Sequence, residues 1–280
     1  MGSDVTSLRG RARGVGRVLA LAGLLVAVPA SAQRVRLEIR PQVGDTIHMQ
    51  LDQEIEMSGS SPEASGAGPK SMIGSTHMRT RAIPLRRLVS GSLVLAVTDS
   101  VAIAPMSGTR LAATPRPVEG TRMTMIVKLD GGMEVIDTGE HDGETSPFFA
   151  PTPPMLPDVA VNVGGRWTRN LDLPIGIGAG GMARVQANFR LDSLSGNGDI
   201  AYITMNGTLS RIGTPSRGGG SQRSTGTLSG RMQLDRRLGW ITDTYLVLNV
   251  RTVITSGQPG SQAAQVQMKV TQRLRAMRGS

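Results

Sequence analysis

Apolar and polar residues alternate with a period of two along most of this chain, and that alternation decides its fold class. Ile47, Met49, Leu51, Ile55 and Met57 fall on one side of their segment, and His48, Gln50, Asp52, Glu54 and Glu56 on the other. Residues 121–130 set Met123, Met125, Val127 and Leu129 against Arg122, Thr124, Lys128 and Asp130. Residues 184–192 set Val185, Ala187, Phe189 and Leu191 against Arg184, Gln186, Asn188, Arg190 and Asp192. Residues 200–212, 227–235, 242–254 and 265–274 repeat the theme. Successive side chains of a strand point to opposite faces, so each segment reads as a strand with one buried and one wet face. Parallel sheets covered on both faces read instead as continuous apolar runs. No stretch beyond the N-terminal region shows a helical period. The expected fold is all-β, an antiparallel barrel or half-barrel of long strands.

The N-terminus reads as an export signal. Arg9, Arg11, Arg13 and Arg17 form a positive start, residues 18–28 an uncharged apolar run, and Ala30-Ser31-Ala32 a small-x-small cleavage pattern that leaves Gln33 first. The apolar run is shorter than the ~20 residues that span a bilayer. An uncleaved anchor is the other reading of the same residues. The arginines form no adjacent pair, which argues against twin-arginine export. The chain has no cysteine. It therefore has no lipid-bearing cysteine at the cleavage site, no disulfide and no thiol chemistry, and stability must come from core burial. The expected location is periplasmic or secreted, with no membrane span once the signal is removed.

The formal net charge is +10, from 31 basic and 21 acidic residues. Lys70, Lys128 and Lys269 are the only lysines. A basic protein attracts anionic head groups, polysaccharide or nucleic acid. Here the arginines are spread along the chain, as on a solvated sheet face.

Breakers lie between the alternating segments. Residues 58–69, 213–222 and 256–261 are rich in Gly, Ser and Pro and read as loops. Asp130-Gly131-Gly132 and residues 195–199 read as hairpin turns. Residues 139–158 carry Pro147, Pro151, Pro153, Pro154 and Pro157, which excludes a central strand. They read as a crossover, with room for a short helical turn. The segments either side resemble one another. Val43-Gly44-Asp45-Thr46 is echoed by Val163-Gly164-Gly165-Arg166-Trp167, and residues 120–138 by residues 226–244. Each of the latter pair runs Gly-Thr, strand, Leu-Asp, turn, strand, Asp-Thr. Ser90-Gly91 and Ser195-Gly196 precede them in matching places. The expected organisation is a signal at 1–32, a first β-meander half at 33–138, a Pro-rich crossover at 139–158 and a second half at 159–280, related by internal duplication. Shared hairpin turn chemistry is the alternative source of the likeness.

The inward side is rich in methionine and poor in aromatics. Met49, Leu51, Met123, Met125, Met205, Met232, Leu246 and Met268 form its candidate apolar face. Methionine is flexible and polarizable, so a barrel interior lined with it suits a lipid-like ligand, or else packs as a dry core. The export signal, the two Val-Gly strand openings and the strand-only remainder resemble a family of uncharacterised exported bacterial β-rich proteins. More distantly, the architecture is similar to the half-barrel periplasmic lipoprotein carriers. That likeness implies binding of acyl chains in a concave face, although this chain lacks the helical patterns of the carriers' lid. It carries over no catalytic residue.

Signals for chemistry are sparse. His48, His77 and His141 do not lie at metal-ligand spacing. Neither G-x-S-x-G nor S-x-x-K occurs. Gly176-x-Gly178-x-x-Gly181 matches the dinucleotide fingerprint, but a strand pattern follows it where a helix is needed. The acidic run Asp137, Glu140, His141, Asp142 and Glu144 lacks a calcium-loop pattern. Aromatics are too few to stack nucleic-acid bases. The expectation is a non-enzymatic exported β-protein, without cofactor or metal, that binds a lipid or other apolar small molecule, or an envelope protein, at a concave face. The alternatives are a structural or interaction module of the cell envelope with no small ligand, and a hydrolase built on dispersed acids such as Asp137 and Asp142.

Overall fold

The computed structural model describes residues 34–60, 70–104, 119–137, 153–174, 182–212, 221–255 and 263–279, all within one compact unit, Ala32–Ser280. Among these residues there are eleven strands and no helix. They are β1 (Ile47–Ser60), β2 (Lys70–Leu88), β3 (Gly91–Ala104), β4 (Arg122–Lys128), β5 (Met133–Asp137), β6 (Arg166–Pro174), β7 (Met182–Leu194), β8 (Ile200–Ile212), β9 (Ser221–Asp235), β10 (Trp240–Thr255) and β11 (Ala264–Arg278). All pair antiparallel in a single sheet, in the order β5-β4-β3-β2-β1-β11-β10-β9-β8-β7-β6. The sheet does not close. β5 and β6 are its edges, and the all-β expectation is met in its half-barrel form.

Strands follow chain order with one exception, the pairing of the first strand with the last. β1 and β11 run side by side from Ile47↔Arg278 to Ser60↔Gln265. This ladder fuses two meanders, β1–β5 and β6–β11, into one sheet. Each meander opens on the same turn. In Gln42-Val43-Gly44-Asp45 the Asp45 N–H donates to the Gln42 carbonyl (3.3 Å), and in Asn162-Val163-Gly164-Gly165 the Gly165 N–H donates to the Asn162 carbonyl (2.8 Å). Gly44 and Gly164 sit in the left-handed region at φ +88° and +83°, which their third place in such a turn requires. Each also donates its N–H to the second strand of its own meander, Gly44 to Pro84 and Gly164 to Leu191. Pro84 is an inward residue of the interior strand β2. It is tolerated because a bulge follows it and because β1 reaches no further than Ala82 along that side.

One face of the sheet holds the core, and we call it the inner face. Inward side chains from every strand between β4 and β6 join one apolar cluster. Two segments outside the strands cover this face near the described turns. Val35, Leu37 and Ile39 of residues 34–41 are buried, as is Leu156 of residues 153–161. Val35 bridges to Val161. The Ile39 N–H donates to Leu129, the Arg40 N–H to Gly239, and the N–H groups of Met155 and Leu156 to Asp130. On β6 the Trp167 indole donates to the Met155 carbonyl (2.8 Å) and stacks on Phe189 of β7 at 5.6 Å. Arg169 points inward from β6, yet its guanidinium is satisfied by the Leu156 carbonyl and the Asp158 carboxylate. The cover thus ties β6, at one edge of the sheet, to the β4–β5 turn near the other. Of the expected crossover, residues 153–158 are described, and they hold no helical turn; the remainder lies outside the described residues.

The docking of residues 34–41 depends on Gly239. It lies at φ +65°, and a Cβ there would collide with the Arg40 carbonyl. Gly120 has φ +82° and open space around it. Gly120→Ala should therefore cost the backbone strain alone, about 1 kcal/mol, and Gly239→Ala about 3 kcal/mol once the displaced backbone is added. Urea unfolding midpoints measure both, and equal losses would contradict the close seating of this segment.

Candidate functional site

All eight residues of the candidate apolar face point to the inner side, as the register shows. Met49 lies opposite Thr80 and Ala276, Leu51 opposite Met78 and Leu274, and Met268 opposite Met57 and Val250. Leu246 lies between Gln272 and Gly230, Met205 between Gly230 and Phe189, and Met232 between Thr244 and Ile203. Met123 and Met125 face Ala96 and Val94.

Burial divides the eight into two groups. Met123, Met125, Met205 and Met232 are 5%, 8%, 2% and 1% exposed and pack in the core. Met49, Leu51, Leu246 and Met268 are half-exposed. These four lie on β1, β10 and β11, the strands around the seam. Ile55, Val270 and Leu274 are half-exposed on the same face of the same strands. Gly230, opposite Leu246, adds no side chain of its own. The candidate site is therefore a strip of partly buried apolar side chains along the centre of the inner face, several of them packed against the core at its margin. Ile55, Val270 and Leu274 were absent from the candidate list drawn from the sequence. Their inward phase was visible in the alternation, but nothing in it distinguishes an uncovered aliphatic residue from a packed one.

The strip offers dispersion contact and exclusion of water, not bond-making chemistry. Among the described residues no three His, Asp or Glu side chains gather as metal ligands. His48 and His77 lie exposed on the outer face. Asp137 is exposed at the end of β5. Asp142, His141, Glu140, Glu144 and residues 176–181 lie outside the described residues. Two surface depressions mix polar and apolar lining. One, of about 540 Å³, mixes Met57 and Met268 with Glu56, Asn249, Arg251 and Lys269. The other, of about 800 Å³, is formed by Gln42, Asn197, Asp199, Asp235, Arg237 and Arg278 at the described turns.

Most charge on the same strands lies on the other face, with Arg278, in register with inward Ile47 and paired with Asp45, as an exception. Asp52 of β1 meets His77 of β2 (2.9 Å) and Arg275 of β11 (3.6 Å). Glu56 of β1 pairs with Lys269 of β11 (2.8 Å), and Arg273 of β11 with Asp243 of β10 (3.0 Å). The His77 ring, hydrogen-bonded to Asp52, holds its carboxyl below the usual carboxylate range.

No family model and no curated protein matches the chain. A solved structure of an outer membrane channel from Pseudomonas putida F1 aligns over 89% of this chain and 99% of its own, at 10% identity and a TM-score of 0.22.

A lowered folded-state pKa means that Asp52 adds stability above its unfolded pKa, lost as pH falls through the folded value. Asp52→Asn should thus destabilise the protein at pH 7, by under ~1 kcal/mol for so solvated a pair. The difference from wild type should shrink as pH falls through and below the ordinary carboxylate range. Denaturant titrations across that range check this, and a difference that grows as the pH is lowered would contradict it.

Proposed function

We propose that this protein is exported and binds an apolar, lipid-like ligand without covalent chemistry along the inner face of β1, β10 and β11. One observation carries the reading. Met49, Leu51, Leu246 and Met268 are only partly buried, on the face whose inward neighbours on β4, β7, β8 and β9 are buried. Burial of apolar surface is worth about 25 cal/mol per Å², or ~0.8 kcal/mol per methylene, so an acyl chain laid along the strip gains steadily with length. Methionine and leucine side chains adapt to such a chain without demanding one shape. Export is supported by the arginine start, the apolar run and Ala30-Ser31-Ala32.

Native mass spectrometry of the protein, purified under mild conditions from an expressing bacterium, tests both parts. A protein mass beginning at Gln33 with an added lipid-range mass is expected. A clean ligand-free mass, with no uptake of an apolar fluorescent probe, would sink the reading. The two groups of apolar residues should also respond differently. Leu51→Asn and Leu246→Asn should weaken probe binding at least tenfold while circular dichroism is unchanged. Met205→Ala and Met232→Ala should each cost about 2–5 kcal/mol of stability and leave the affinity of the folded protein intact. Loss of binding in the second pair alone would place the ligand elsewhere.

A further inference from the structure

The two edge strands of the sheet are finished differently. An open edge presents a row of unpaired N–H and C=O groups to any strand that meets it. β5 is five residues long, and a bulge between Thr124 and Met125 breaks its ladder to β4, a common way of turning an edge aside. β6 is nine residues long, and its ladder to β7 runs without a bulge from Arg166↔Arg190 to Pro174↔Met182. It carries no lysine, and its proline stands last.

The phase of that ladder identifies the free groups. The Leu191 N–H donates to the Gly165 carbonyl (3.0 Å), so Gly165 and every second residue after it bond to β7. The N–H and C=O groups of Arg166, Thr168, Asn170 and Asp172 then point to the open side. Among the described residues they have no backbone partner there. The side chains of all four are exposed on the outer face.

Those side chains select the strand that fits. A second β6, antiparallel across a two-fold axis, must match these four residues with the same four, because a slip of one residue would misplace both bonds and faces. With Arg169 opposite Arg169 of the other copy, all four are engaged. Arg166 then faces Asp172, and Thr168 faces Asn170, on both sides of the axis. Shifting by two residues sets Arg166 against Asn170, or against Pro174, which has no N–H to give. Within its own chain Arg166 has no ion-pair partner among the described residues. Asp172 is half exposed and meets Arg184 (3.0 Å) on its β7 side. The two Arg169 side chains bring their own counter-charge, because each is held by the Leu156 carbonyl and the Asp158 carboxylate of its own chain.

We propose that β6 is a pairing edge for a second copy of this chain, joined antiparallel about Arg169 with Arg166 of each copy against Asp172 of the other. One strand on one strand buries little area, so the dimer is reversible and depends on concentration. Sedimentation velocity of the mature chain over a concentration series tests this, at low salt where charge pairs are least screened. A monomer–dimer equilibrium is expected. Asn170→Pro removes a donor that the fold itself does not use. It should weaken the dimer at least tenfold and leave circular dichroism unchanged. Arg166→Asp and Asp172→Arg should each weaken self-association at least tenfold, because like charges then face one another. An equal mixture of those two variants should restore it, because every facing pair is again of opposite sign. Both positions are exposed, so the charge variants carry the test even if Asn170→Pro fails to fold. A wild-type chain that stays monomeric at every concentration would overturn the inference. So would a dimer that either charge variant leaves intact, a mixture that stays monomeric, or assembly beyond the dimer. All these readouts are independent of ligand binding at the inner face.

Discussion

The structure depends on the ladder between β1 and β11. It joins residues more than two hundred positions apart in the chain, and without it the two meanders would be separate sheets, each with another open edge. An exposed strand edge is a template for mispairing, so the ladder removes two such hazards at once. It also decides where the inner face stays uncovered. Residues 34–41 and 153–161 are anchored on β6 and on the β4–β5 and β9–β10 turns, and the strip of half-exposed Met and Leu side chains runs along β1, β10 and β11. The seam that completes the sheet is thus the place where apolar surface remains available.

Long-range pairing needs a device that holds register, because a slip of one residue turns every side chain to the opposite face. Here both faces supply it. A slip of β1 would carry Asp52, Glu54 and Glu56 inward and Met49, Leu51 and Ile55 into water. The outer face rewards the native register directly, through Asp52 with His77 and Arg275 and Glu56 with Lys269. Each such pair is weak in water. Their value lies in being satisfied together in one alignment and in no other.

Much of the fold was legible in the sequence, and the reasons for the exceptions are physical. The alternation in residues 121–130, 184–192 and 227–235 is unbroken, and the inward residues of β4, β7 and β9 are those it names. β2 was legible as a strand holding His77 and leading into the Ser90-Gly91 turn, but not in its full extent, because its inward row, Met72, Gly74, Thr76, Met78, Thr80, Ala82 and Pro84, is small or polar at most positions. Arg169 breaks the pattern on β6 because its partners, Leu156 and Asp158, lie outside the strands. The Val-Gly motif was readable as a repeated strand opening, and the structure shows it to be a turn, whereas the pairing of β1 with β11 leaves no local trace. The candidate site was legible by face and not by exposure. Met205 and Met268 have the same phase and chemistry, and only the assembled sheet shows that one is buried and the other only partly so.

That difference between sealed and open methionines is the centre of this account, and it can be read one methyl group at a time. The protein would be labelled with ¹³C at the methionine methyls and its spectrum recorded with and without saturating pyrene. The signals of Met49 and Met268 should shift on binding while those of Met205 and Met232 stay in place. Binding that moves Met205 and Met232 and leaves Met49 and Met268 unmoved would show that the ligand does not lie on the strip, and would contradict the account.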